Sequence, residues 1–268
     1  MLELMYYAHN LSSDFEEVLV IPISDVHYGD PLCSEHHYNR ILETLLMVPN
    51  AFTILNGDLC NAATRTSVSD IYSQVVSPQG QRDYHIKKLM PVKHKILGST
   101  SGNHENRIYK DSGLDISQDI ANALGVPYRA EGLLLKVSFG NGNEGHPEKP
   151  YSYFIYATHG YGGARTKAAK AVKVERLATW IHADCYIMSH DHVVNVAPDV
   201  YLIPDNRTHK EGEFMIGKVK AHRKMLVKSG AFLKWGGYGE MGGFPPVDLE
   251  KVTIKLKGTG KPRVGVEI

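Results

Sequence analysis

Short runs of apolar, β-branched residues recur along the first two-thirds of the chain, and each gives way to a polar loop. Val18 to Ile23 reads as a buried strand and ends at Ser24-Asp25-Val26-His27-Tyr28-Gly29-Asp30. Ala51 to Leu55 ends at Asn56-Gly57-Asp58-Leu59, and Val92 to Leu97 runs into Gly102-Asn103-His104-Glu105. Leu133 to Phe139 and Tyr151 to Thr158 alternate as strands around a Gly-, Asn- and Pro-rich loop over 140–150, and the second delivers His159-Gly160. Cys185 to Met188 is a further strand, stopping at Ser189-His190-Asp191-His192.

Helical spacing fills the intervals. Ile41, Leu42, Leu45 and Leu46 predict a helix from about Glu35 to Met47, closed by Pro49. Ser69 to Met90 reads as two helical pieces broken near Pro78-Gln79-Gly80, and Ile116 to Leu124 as a helix stopped by Gly125. Thr166 to Trp180 reads as a basic amphipathic helix, with Lys167, Lys170, Lys173 and Arg176 on an exposed face. Beyond Val193 the chain is mainly β. The whole, 1–268, is expected to be one α/β domain, with 193–268 either completing a second sheet or forming a substrate-side cap.

Composition changes this picture little. A formal net charge of +1 gives no global bias toward nucleic acid or membrane surfaces. Cys33, Cys60 and Cys185 are isolated from one another, which speaks against a zinc ribbon or disulfide framework and for a reducing compartment. Met1 to Glu17 lacks the basic and apolar regions of a secretory signal, and no apolar run reaches the roughly 18 residues of a membrane span. A cytoplasmic protein with no membrane partner is expected.

The chemistry lies in the loops. In open α/β sheets ligands bind beyond the carboxyl ends of strands, and here five such loops carry Asp, His or Asn. Asp25 and His27 lie two apart and can reach one ion; His190 and His192 repeat the spacing. Gly57 lets the backbone at Asp58 approach metals closely, and Gly102 does so before Asn103. Carboxylate and imidazole donors suit Mn, Zn and Fe.

Asp25-x-His27, Gly57-Asp58, Gly102-Asn103-His104-Glu105, Thr158-His159-Gly160 and Ser189-His190-Asp191-His192 together resemble the ordered signature of the calcineurin-like metallophosphoesterase superfamily. The resemblance implies a four-layer αββα sandwich, with two mixed sheets flanked by helices, and a dinuclear metal site at the strand ends. It implies that Asp25, His27 and His192 hold one divalent ion and Asn103, His159 and His190 the other. The ions would be Mn foremost, with Zn, Fe or Mg as alternatives. It further implies that Asp58 bridges them beside a hydroxide that attacks phosphorus, that His104 serves the leaving oxygen, and that Arg107, with Asn103, grips phosphate. The phosphoprotein-phosphatase form of the second motif continues with Asp and Arg, whereas this chain reads Asn61-Ala62-Ala63. Asn61 thus replaces the acid that would pair with His104, and an arginine is missing. Ser189 stands where glycine is usual.

These readings point to an enzyme acting on a phosphate ester, possible partners being nucleic acid or a nucleotide. A nuclease-like phosphodiesterase is favoured, a phosphatase or nucleotide hydrolase is the alternative, and a non-catalytic interaction scaffold of the same fold is the other class. Elsewhere simpler roles are expected. His9, His36, His37, His85, His94, His146, His182, His209 and His222 are solvated or capping, and Asp30 is a turn residue. Asp191 either faces solvent or orients a ligand, and Glu105 either supports the site or forms a salt bridge. The run Lys234 to Pro246 is either a substrate-side loop, with Trp235 and Tyr238 stacking on a base, or a connector over the sheet edge.

Overall fold

The computed structural model describes residues 5–65, 67, 70–142, 148–241, 243, 245–246 and 248–268. His146, much of the 140–150 loop, Phe244 and the side chain of Tyr238 lie outside the described residues. In chain order the elements are β1 (Tyr6–Asn10), β2 (Glu17–Ile23), α1 (Glu35–Met47), β3 (Ala51–Asn56), α2 (Pro78–Leu89), β4 (Ile96–Thr100), α3 (Asn103–Ser112), α4 (Ile116–Leu124), β5 (Leu133–Phe139), β6 (Tyr151–Thr158), α5 (Lys167–Leu177), β7 (Cys185–Met188), β8 (Val194–Glu211), β9 (Phe214–Ser229), α6 (Gly237–Met241), β10 (Thr253–Lys257) and β11 (Val264–Glu267).

Two mixed sheets result, a six-stranded one in the order β1-β5-β6-β7-β9-β8 and a five-stranded one in the order β11-β10-β2-β3-β4. The period-2 alternation of strand side chains explains the layering. On β2, Val18 and Val20 face the other sheet, meeting Leu133, Leu135, Ile155 and Ile187, while Ile23 faces the helices with Leu42, Leu45, Leu89 and Ile120. On the far side, Tyr156, Tyr186 and Met188 pack under Val174 and Leu177 of α5. The layers are therefore helices, sheet, sheet, helix, as expected. Residues after Val193 contribute to both sheets, β8 and β9 to one and β10 and β11 to the other. Among the described residues no helix is long and apolar enough to cross a membrane.

Several boundaries differ from expectation. Pro78 does not break a helix but opens one, with Ser77 capping the Gly80 amide, because a proline in the first turn lacks only an N–H that has no helical partner. The strand expected over 92–97 begins at Ile96; Met90–Lys95 forms a 3₁₀ turn that starts with Pro91 in its first turn. Helix α3 carried no apolar periodicity and was not expected; it is a polar helix whose first turn lies in the site.

Ile54 is fully buried between the sheets. Ile54→Ala should lower the unfolding free energy by about 2–5 kcal/mol in urea titrations. A loss under about 1 kcal/mol would contradict the two-sheet core.

Candidate metal centre

All five loops converge at one end of the sheets. Asp25 and His27 follow β2, Asp58 follows β3, Asn103 opens α3 just after β4, His159 follows β6, and His190 and His192 follow β7. The backbone there is unusual. Asp25 (φ +52°), His27 (+50°), Asp58 (+52°), His190 (+70°) and His192 (+56°) all occupy the left-handed region, shared among the described non-glycine residues only with Ala62. Each such residue costs about 1–2 kcal/mol in a folded chain, so their concentration in one cluster marks strain held for a purpose. Alternating left-handed residues turn Asp25 with His27, and His190 with His192, toward one point.

The side chains form two outer groups, linked by a third in which Asp58 lies between His27 and His104. In one, Asp25, His27 and His192 approach each other, with His27 Nε2 3.0 Å from His192 Nε2 and Asp25 Oδ1 3.3 Å from His192 Nε2. In the other, Asp58 Oδ2 lies 3.1 Å from His159 Nε2, and Asn103 Oδ1 lies 3.1 Å from His159 Nε2 and 2.7 Å from His190 Nδ1. Asp58 Oδ2 is 3.9 Å from His27 Nε2, which links the groups.

The outward-facing atoms fix which atoms face inward. His159 Nδ1 donates to the Asn56 carbonyl at 2.8 Å, leaving Nε2 toward Asp58. His190 Nε2 donates to the Gly162 carbonyl at 2.8 Å, leaving Nδ1 toward Asn103. Asp58 Oδ1 accepts from the His104 amide at 2.8 Å, and Asp25 Oδ2 from the His190 amide at 3.2 Å. Asp25 Oδ1 is buried without a hydrogen-bond partner. A buried, unsatisfied carboxylate oxygen facing imidazole nitrogens is costly unless a cation joins them. The donor set therefore fits divalent metal ions.

Electrostatics carry the same message. Burial disfavours the charge on Asp25 and Asp58, yet the surrounding histidines hold both carboxyls below the usual range. Burial pulls His159 down, but the Asp58 and Asp25 carboxylates outweigh it and lift the imidazole to about 10. Burial drives His27 well below its ordinary value, reinforced by His104. His159 thus holds a proton where a metal ion would place its charge.

Two mixed sheets lie between helices, with five motif-bearing loops meeting at one end, which is the layered arrangement that the resemblance in the sequence implies. No protein-family model and no curated protein sequence matches the chain. Among solved structures it is similar to vacuolar protein sorting 29 from Cryptosporidium parvum (14% identity, 94% of this chain and 97% of that one, TM-score 0.42). It is also similar to a predicted phosphoesterase from Streptococcus pneumoniae (15% identity, 94% and 98%, TM-score 0.35) and to a metallophosphoesterase from Sphaerobacter thermophilus (12% identity, 90% and 83%, TM-score 0.34).

The surrounding residues refine several expectations. His104 pairs with Asn61, as its position suggests, but through the Asn61 backbone carbonyl, which accepts from Nδ1 at 2.7 Å. The Asn61 side chain is buried with neither amide atom paired. Glu105 supports the site: Oε2 accepts from the Asp58 amide at 3.0 Å and Oε1 from the Cys60 amide at 2.9 Å. Burial and the nearby Asp58 raise its carboxyl to about 7. A Cβ at Gly102 would overlap the Asp58 amide and Oδ1, and one at Gly57 would sit 2.6 Å from the Gly102 amide, so both glycines are required by close approach. Ser189 does not disturb the turn. Its hydroxyl joins a buried network, receiving the Asn56 amide at 2.6 Å and meeting Ser229 Oγ at 2.8 Å.

Two expectations are corrected. His85 is neither solvated nor a cap; it is fully buried, bridging the Tyr38 hydroxyl (3.2 Å) and the Leu59 carbonyl (2.8 Å). Lys170 and Lys173 are not an exposed face. Helix α5 turns them inward onto Asp191, where Lys170 donates to the Asp191 carbonyl at 3.0 Å and Lys173 pairs with Oδ1 at 2.7 Å. Lys228, buried on β9, pairs with Asp191 Oδ2 at 2.5 Å and donates to the Ser189 carbonyl at 2.9 Å. Three lysines thus clasp the one residue between His190 and His192. A histidine-rich loop alone does not reveal this; the spacing of Lys170 and Lys173 on one helix face was the available signal. Asp30, as expected, makes a turn, accepting from the Leu32 amide at 2.8 Å.

Asp191→Asn leaves Lys228 buried without its counter-charge. Stability in urea should fall by about 3–5 kcal/mol, whereas Lys167→Met, on the exposed side of α5, should change it by less than about 0.5 kcal/mol. Equal, small effects would show that the clasp does not hold the loop.

Proposed function

We propose that residues 1–268 act as one metal-dependent phosphoesterase domain, cleaving phosphodiesters in preference to monoesters. The observation that carries this is the pair of donor groups linked through Asp58, with His104 and Arg107 bordering the same cleft. In this reading Asp25, His27 and His192 hold one ion, Asn103, His159 and His190 the other, and Asp58 both, with Mn the first choice. When bound, two such ions supply Lewis acidity at phosphorus and an activated water.

The chain's own residues then position and neutralise. His104 Nε2 lies 3.9 Å from Asp58 Oδ2, beside the place a bound ester would occupy. Burial lowers the His104 imidazole to about 4, against the pull of Asp58 and assisted by Arg107. At neutral pH it is therefore uncharged with its lone pair at Nε2, placed to take the proton that the attacking water gives up and to hand it to the leaving oxygen. Arg107 offers a planar guanidinium to the phosphoryl oxygens.

The preference for a diester follows from charge. Of the three cations lining the cleft among the described residues, Arg107, Lys170 and Lys234, Lys170 is committed to the Asp191 carbonyl, and the loop after Asp58 offers Ala62 and Ala63 rather than a further arginine. A singly charged diester needs less compensation than a doubly charged monoester. A nuclease-like activity is the form of diesterase that we favour.

The test is to load the purified protein with Mn, determine metal content, and compare hydrolysis of bis-nitrophenyl and mono-nitrophenyl phosphate. We expect two ions per chain, faster diester turnover, and loss of both metal and turnover in Asp58→Asn. His104→Ala should cut turnover about 10²- to 10⁴-fold while metal content stays near wild type. Turnover that survives Asp58→Asn would overturn the site, and absence of metal and of turnover would overturn the function.

A further inference from the structure

The run Lys234 to Pro246 is the sequence feature that the metal centre does not absorb. Its first residues are tied to the site by backbone hydrogen bonds. The Phe232 amide donates to the Asp25 carbonyl at 2.9 Å, Leu233 bridges Cys33, and the Lys234 amide donates to the Leu32 carbonyl at 3.0 Å. Trp235 is the next residue, so its backbone is held in register with the loop that carries Asp25 and His27. It lines the same cleft as Asp58, Asn103, His104, His190 and His192. Trp235 as a residue is 44% exposed.

The rest of the cleft defines what would cover that ring. Gly162 and Gly163 form part of its lining and bring no side chain that would narrow it. Arg107 and Lys234 add positive charge. The volume, about 260 Å³, falls just below the usual run of ligand sites, about 300–1,000 Å³; it suits one unit of substrate rather than a folded surface. An anion joined to a flat aromatic ring, of nucleotide size, meets each of these features.

We propose that Trp235 is the base-stacking wall of a nucleotidyl-phosphoester site, with the phosphate at the metal centre and the nucleobase on the indole. The assignment rests on the phosphoesterase reading for the position of the phosphate. Stacking on an aromatic side chain tolerates every base, because each has a π face. The site therefore selects nucleotidyl esters over alkyl esters without selecting sequence.

The protein has two tryptophans, and Trp180 is exposed outside the cleft lining. In a Trp180→Phe variant Trp235 is the only tryptophan emitter. The Mn-loaded variant is titrated with the non-hydrolysable 5′-methylenephosphonates of adenosine and of ribose. The adenosine compound should quench Trp235 emission and bind about 5- to 150-fold more tightly than the ribose compound, the range that one stacked base supplies. By calorimetry, Trp235→Ala should abolish that preference and Trp235→Phe should retain most of it. A phosphorothioate-linked single-stranded oligonucleotide in parallel separates the sources: tighter, salt-sensitive binding assigns a polymer end, and equal binding assigns a free nucleotide. Equal affinity for the two phosphonates, or unchanged emission, overturns the subsite. Hydrolysis is scored separately on bis-nitrophenyl phosphate. An active enzyme without the adenosine preference loses the subsite and keeps the esterase; the preference in an inactive protein does the reverse.

Discussion

Two carboxylates, Asp25 and Asp58, are held in the interior among imidazoles whose free nitrogens face one another, and the rest of the structure is arranged around that concentration of unsatisfied donors. An ion pair wholly inside a protein recovers its desolvation cost only with good geometry and further hydrogen bonds. Here each carboxylate spends one oxygen on a backbone amide and turns the other to the histidines. The Asp58 and Asp25 carboxylates favour the protonated form of His159, and His27 and His192 oppose two nitrogens 3.0 Å apart. Divalent ions would relieve both conditions at once.

The fold supplies the rigidity that such a cluster demands. Parallel strands β2, β3 and β4 end side by side, so their loops start from fixed positions. Five left-handed residues then aim the side chains. The strain is over-determined from behind: Glu105 holds the amides of Asp58 and Cys60, Ser189 and Ser229 tie two strand ends, and Lys170, Lys173 and Lys228 fasten Asp191. These contacts restrict the rotamers and backbone of the donors, which is what keeps a multi-donor site within the tolerance that metal chemistry requires.

Much of this was legible in the sequence because it is written locally. Strands such as Leu133–Phe139 and Tyr151–Thr158 announce themselves by alternation, and the polar triplets at their ends by composition. The convergence of the seven donors was legible only through their order along the chain. What stayed hidden depends on contacts between distant segments. Helix α3 has no apolar stripe, because its first turn faces the site rather than a core. Strand β1 pairs in parallel with β5, over a hundred residues away. Lys170 and Lys173 look like a solvated face until β7 and β9 place Asp191 and Lys228 beneath them. Glu105 could be read either way until its two backbone partners were in place.

Under the proposed function the cluster would hold two cations, with Asp58 between them. Diffraction from crystals grown with Mn, recorded at wavelengths on either side of the Mn absorption edge, tests it most directly. The account predicts two anomalous peaks about 3.5–4 Å apart, one among Asp25, His27 and His192, the other among Asn103, His159 and His190, with Asp58 touching both. A single peak, or peaks away from Asp58, would contradict it.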